Sequence, residues 1–162
     1  MKNKNGFTLV ELLAVIAILA ILVVMLVPNF VDMFKESKSS IFVTEVQTIM
    51  KQAQEKWLLD GGVAKTYHTQ DFKLDGDASK FYYTIAMDMS GKFTSVTVCS
   101  PDNCLTETNV KIADLKSEDV KSKTGAPTEY STIANKFKNS SYPSEVNAMK
   151  DLCEGKTQCD YK

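Results

Sequence analysis

The chain opens Met1-Lys2-Asn3-Lys4-Asn5-Gly6-Phe7-Thr8-Leu9-Val10-Glu11 and runs on through residues 12–27, LLAVIAILAILVVMLV, sixteen apolar residues without a break. As a helix, the 21 residues 7–27 extend about 31 Å at 1.5 Å per residue. That matches the roughly 30 Å hydrocarbon thickness of a bilayer. The two lysines ahead of the segment set its N-terminus inside and the bulk of the chain outside. Outward from this stretch the composition changes. Residues 7–27 hold 19 of the 71 hydrophobic residues of the 162-residue chain, and the other 141 residues hold 52. A concentrated apolar segment is therefore joined to a more polar globular part, whose small core gains from covalent staples.

A cleavable secretory signal has an apolar stretch of roughly 7–15 residues followed by a small-x-small cleavage site. Here the stretch is longer and ends in Val27-Pro28-Asn29-Phe30. A plain signal anchor explains the length but not Glu11. A carboxylate in such a segment costs about 2.5–3.5 kcal/mol even on the lenient insertion scale, which makes Glu11 a functional residue by default.

The octapeptide Gly6-Phe7-Thr8-Leu9-Val10-Glu11-Leu12-Leu13 resembles the processing motif of type IV pilins and pseudopilins. The resemblance covers about the first 30 residues. It implies that a membrane prepilin peptidase on the cytoplasmic side cuts after Gly6 and methylates the new amine of Phe7, and that the apolar helix is kept. Removal of residues 1–6 leaves 156 residues with 17 Lys against 20 acidic residues, net −3. It further implies that the mature chain leaves the cytoplasmic membrane to enter an extracellular filament, a pilus serving adhesion, surface motility or biofilm formation. A pseudopilin of a type II secretion or DNA-uptake machine is the alternative. The implied partners are identical or related pilin subunits, the prepilin peptidase, an assembly ATPase and its membrane platform protein. No residue pattern selects a host surface or DNA as a partner.

The residues agree with that role. After cleavage, the Phe7 amine and the Glu11 carboxylate lie about one helical turn apart. A staggered neighbour in a helix bundle brings its own Phe7 amine to this Glu11, and a paired charge in low dielectric is tolerated where an unpaired one is not. Such a pair fixes stagger, and the Leu, Ile and Val surface supplies cohesion. Ala14, Ala17 and Ala20 serve either as close-approach positions between helices or as ordinary apolar filling. Pro28 removes a helix hydrogen bond and predicts a kink or local loosening. Pilins commonly carry helix breakers here; an earlier Gly often found in them is replaced by Ala20.

The helical pattern continues beyond residue 28. Val27, Val31, Phe34, Lys38, Phe42, Val46, Ile49, Ala53 and Trp57 follow one another at steps of three or four, a stripe interrupted only by Lys38. Gly61-Gly62 then stops the helix. The expected division is a leader at residues 1–6, a transmembrane and polymerisation helix at 7–28, an amphipathic half at 29–62 and a headpiece at 63–162. Residues 63–79 read as a polar loop. Strands are expected at 80–85, 93–99 and 109–115, forming an antiparallel meander on the amphipathic helix. Short helices are expected to begin at Pro127 and Pro143. The fold class is thus α+β.

Candidate chemistry is sparse. Cys99, Cys104, Cys153 and Cys159 allow three disulfide connectivities. Exported context favours disulfides, with free thiols or a zinc site on the four cysteines as alternatives. The turn chemistry of Ser100-Pro101-Asp102-Asn103 and Gly155 after the last expected helix point to the pairs Cys99–Cys104 and Cys153–Cys159. Asp71, Asp75 and Asp77 around Gly76 resemble a fragment of a calcium loop but lack its terminal acid; a solvated turn is the plainer reading. His68, the single histidine, has no Ser or Cys pattern near it and reads as a surface or loop residue. Lys111, Lys116, Lys121, Lys123, Lys136 and Lys138 are interspersed with Asp114, Glu118, Asp119 and Glu129, and all 19 basic residues of the chain are lysine against 20 acids, which disfavours a dedicated nucleic-acid binder. Asn139-Ser140-Ser141 fits a glycosylation sequon. No catalytic constellation is present, so a structural subunit, not an enzyme, is expected, without a required cofactor.

Overall fold

The computed structural model describes residues 8–76 and 80–143. Helix α1 runs Leu9–Leu59, followed by strands β1 (Lys65–His68), β2 (Tyr82–Met87), β3 (Phe93–Cys99), β4 (Asn103–Thr108) and β5 (Lys121–Ser122), and helix α2 (Pro127–Lys138). The class is α+β. The chain divides between Lys38 and Ser39 into two compact units, which are taken separately.

In the first unit, α1 is a bare apolar helix. Its large side chains stand in the open, from Leu9 at 74% exposure to Val27 at 52%. Pro28 lies inside α1, whose helical assignment runs through it without interruption. Proline lacks the N–H that would bond the Val24 carbonyl, yet the flanking turns keep their own bonds. The helix is long and apolar enough to cross a membrane by length and composition.

In the second unit, the amphipathic half of α1 buries the stripe read from the sequence. Phe42, Val46, Ile49 and Ala53 enter the core, joined by Val43 and Met50. Complete burial of a side chain such as Ile49 contributes about 1.5–3 kcal/mol relative to exposure. Gly61 and Gly62 end the helix in the left-handed region, at φ 89° and 69°. The Gly62 N–H bonds the Trp57 carbonyl and the Gly61 N–H that of Leu58, the paired closure that left-handed C-terminal residues permit.

The five strands form one antiparallel sheet in the order β1-β2-β3-β4-β5. The register Tyr83↔Val98↔Leu105 and Ile85↔Val96 sets these residues on the face packed against α1. On the other face Tyr82, Cys99 and Cys104 lie side by side and pack under Tyr130, Ala134 and Phe137 of α2. The helix expected from Pro127 is therefore present, with Tyr130, Ala134 and Phe137 inward. The helix expected from Pro143 lies outside the described residues.

Three expectations for the headpiece are corrected. Residues 65–68 form strand β1 rather than loop; the segment is short and only Tyr67 reaches the core completely. Beyond it, the Thr69 hydroxyl continues the ladder, accepting the Tyr83 N–H at 3.0 Å and donating to the Tyr83 carbonyl at 3.3 Å. The third strand of the meander lies at Asn103–Thr108, not 109–115. Asn109 takes φ 53° and ends it, and the chain then enters a 3-10 turn at Ile112–Asp114. The third correction is His68, which is a strand residue only 8% exposed, with its ring stacked on Tyr142 at 3.3 Å between centroids.

Candidate functional site: the helix N-terminus and the stapled headpiece

Glu11 sits in the first turn of α1, and the residue that positions it is Thr8. The Thr8 N–H and hydroxyl both donate to Glu11 Oε2 at 2.8 Å, and the Thr8 hydroxyl accepts the Glu11 N–H at 3.3 Å. This is a reciprocal capping box: the cap residue and the third helical residue satisfy each other's backbone donors. An apolar helix has no polar side chains further along to satisfy its first N–H groups, which would otherwise lack partners in lipid. The other carboxylate oxygen, Oε1, accepts no hydrogen bond among the described residues. Thr8 is a site residue that the sequence reading passed over. Its signal was legible as Thr-x-x-Glu immediately before an apolar run. Gly6 and Phe7 lie outside the described residues.

Residues 1–27 match the family described as the prokaryotic N-terminal methylation motif. The chain has a prepilin-type N-terminus. The match coincides with the exposed apolar helix and the Thr8–Glu11 cap. Prepilin-type chains are cut by the prepilin peptidase and associate with other pilin-type subunits. Neither a curated protein nor a solved structure matches the chain.

The second cluster lies at the β3–β4 hairpin of the headpiece. Cys99 and Cys104, opposite each other in the register, are joined by a disulfide with their Cα atoms 4.1 Å apart. Cys153 and Cys159 lie outside the described residues. The hairpin turn is tied by the Ser100 N–H to the Asn103 carbonyl at 2.7 Å and by the Asn103 N–H to the Ser100 hydroxyl at 3.1 Å. The buried Tyr130 hydroxyl donates to the carbonyls of Ser100 and Pro101, each at 2.8 Å. One α2 side chain thus closes the turn.

Two measurements test this arrangement. Tyr130→Phe leaves the two carbonyls without their donor and should destabilise the headpiece by about 1–3 kcal/mol, read as a shift in urea midpoint of the purified full chain. Non-reducing peptide mapping should recover Cys99 linked to Cys104. Cys104→Ser should cost about 2 kcal/mol, the value for closing so short a loop. A peptide joining Cys99 or Cys104 to Cys153 or Cys159 would show the pairing to be wrong.

The remaining candidates are scattered. The Asp71 carboxylate accepts the His68 N–H at 2.7 Å and so serves the turn after β1; Asp75 is exposed, and Asp77 lies outside the described residues. Asp60, at the end of α1, takes the Lys65 ammonium, the Lys56 ammonium at 3.3 Å and the Tyr67 hydroxyl at 3.2 Å. The Lys65 hydrogen bond is the main reason its carboxyl is held below the usual value. In the lysine-rich stretch, Lys116 pairs with Glu118 at 3.0 Å and Lys121 with Glu129 at 3.2 Å, so part of its positive charge is met within the chain.

Proposed function

We propose that this chain is the structural subunit of an extracellular type IV pilus. The carrying observation is the exposed apolar helix whose single early acid is capped through Oε2, with Oε1 accepting no hydrogen bond among the described residues. The precursor inserts in the cytoplasmic membrane with its headpiece outside. Cleavage after Gly6 creates a cationic amine on Phe7, which is then methylated. Leaving lipid for a filament requires the apolar side chains of α1 to find neighbours, and identical helices supply them. In that bundle the Phe7 amine of one subunit meets Glu11 Oε1 of the next, pairing two charges that are each costly alone. Pro28 lies where the apolar segment gives way to the amphipathic half, and its missing hydrogen bond makes that region the easiest to adjust on packing. An assembly ATPase and membrane platform drive the extraction. No enzymatic step is assigned to the chain.

A pseudopilin of a type II secretion or DNA-uptake machine shares the same N-terminus and is the second reading. Filaments sheared from cells, imaged by electron microscopy and identified by mass spectrometry, separate the two. Long surface filaments composed mainly of this chain support the pilus. A chain found only in membranes, with no surface filament containing it, supports the pseudopilin.

A further inference from the structure

A cavity of about 540 Å³ opens in the headpiece between α1, the β2–β3 turn and the segment that follows β4. Its volume lies within the roughly 300–1,000 Å³ of small-molecule sites. Phe93, Val110 and Ile112 provide apolar lining, and Gln54, Asn109, Lys92, Lys111 and the acidic Asp88 provide polar lining.

The walls are built. The Gln47 side-chain amide donates to the Ile112 carbonyl at 3.1 Å, tying the post-β4 segment to α1. The β2–β3 turn is held by Asp88, whose Oδ1 accepts the Ser90 N–H at 2.8 Å, the Ser90 hydroxyl at 2.7 Å and the Lys92 N–H at 3.0 Å. At Gly91, φ is 76° and a Cβ would come within 3.2 Å of the Trp57 ring, so the turn lies directly on α1.

The polar groups have work left to do. The side chains of Gln54, Asn109 and Lys111 make no hydrogen bond or ion pair among the described residues. Asp88 also lines the cavity; its Oδ1 is committed to the turn, and the two lysines outnumber its single charge. Two ammonium groups with amide neighbours and an apolar wall match a ligand carrying a carboxylate, hydroxyl groups and a face of C–H bonds. We infer that this cavity binds a carboxylated sugar residue of the uronic-acid type, its carboxylate against Lys92 and Lys111, its hydroxyls on Gln54 and Asn109, and its ring against Val110 and Ile112. The inference concerns the headpiece alone and stands apart from filament assembly.

Glucuronate, glucose and acetate, titrated separately into the purified full chain in detergent and followed by saturation-transfer NMR, test it. Glucuronate should saturate a single site and outcompete both glucose and acetate. Lys111→Met should weaken glucuronate by about tenfold, the loss of one charge-assisted contact, and Gln54→Ala should weaken glucuronate more than acetate. Lys73→Met, an exposed lysine away from the cavity, should change nothing, and unaltered circular dichroism of each variant shows that the fold is kept. The inference is overturned by the absence of saturable glucuronate binding, by equal binding of glucose or acetate, or by equal affinities of the Lys111 and Lys73 variants.

Discussion

Glu11→Val is expected to abolish filaments while leaving precursor and processed subunit in the membrane. Valine keeps the segment apolar, so insertion and cleavage survive. Two interactions are lost. The first is the cap on Thr8, worth about 1 kcal/mol. The second, under the proposed intersubunit pairing, is the partner of the neighbour's Phe7 amine, whose removal from a buried site costs roughly 3–5 kcal/mol. The second term dominates and recurs at every subunit interface, so filament yield should collapse rather than decline. Thr8→Val weakens only the first term: it removes the hydroxyl but keeps the carboxylate and the residue 8 N–H that also donates to it, and should reduce filament number without eliminating it. Electron microscopy of surface filaments beside immunoblots of membrane fractions reads both. Filaments of normal length and number from Glu11→Val would remove the stagger role.

Gly6→Val acts one step earlier. By the family resemblance, the residue before the cut must fit the peptidase without a side chain. The variant should accumulate as full-length precursor, heavier than the mature chain by residues 1–6, and no filament should form. The charge logic agrees: an uncut chain has no Phe7 amine, so Glu11 of the neighbour gains no cation. Processing of Gly6→Val at the normal rate would show that the small residue there is not needed.

Much of the fold was legible because it rests on long-range periodicity. The stripe through Phe42, Val46, Ile49 and Ala53 repeats over many turns, and Gly61-Gly62 closes it with a strong local signal. Strand β3 alternates over seven residues and was found at its correct bounds. Short elements were not legible. β1 has four residues and β5 two, too few for a period to emerge, and both owe their form to pairing with a neighbour. β4 was missed for a different reason. Its core face carries Leu105 followed by Glu107, so alternation is weak, whereas residues 109–115 offer Val110, Ile112 and Leu115. Those three side chains do pack on the core, but from an irregular segment that Asn109 begins in a left-handed conformation. His68 was misplaced because polarity suggested the surface, and its stacking partner Tyr142 is 74 residues away in the chain. The hairpin turn at 100–103 was readable from its own residues; the Tyr130 hydroxyl that closes it was not. At the N-terminus the cost of Glu11 in an apolar helix is readable from the sequence, and the Thr-x-x-Glu spacing carries the signal of its cap on Thr8.

The most direct measurement is the mass of the mature N-terminus. Protein recovered from cells, digested and sequenced by tandem mass spectrometry, should yield a first residue Phe7 carrying an N-methyl group, followed by Thr8-Leu9-Val10-Glu11 with the apolar helix intact. A chain that begins at Met1, at an unmethylated residue other than Phe7, or beyond residue 27 would contradict the assignment of this protein as a processed subunit that assembles through its N-terminal helix.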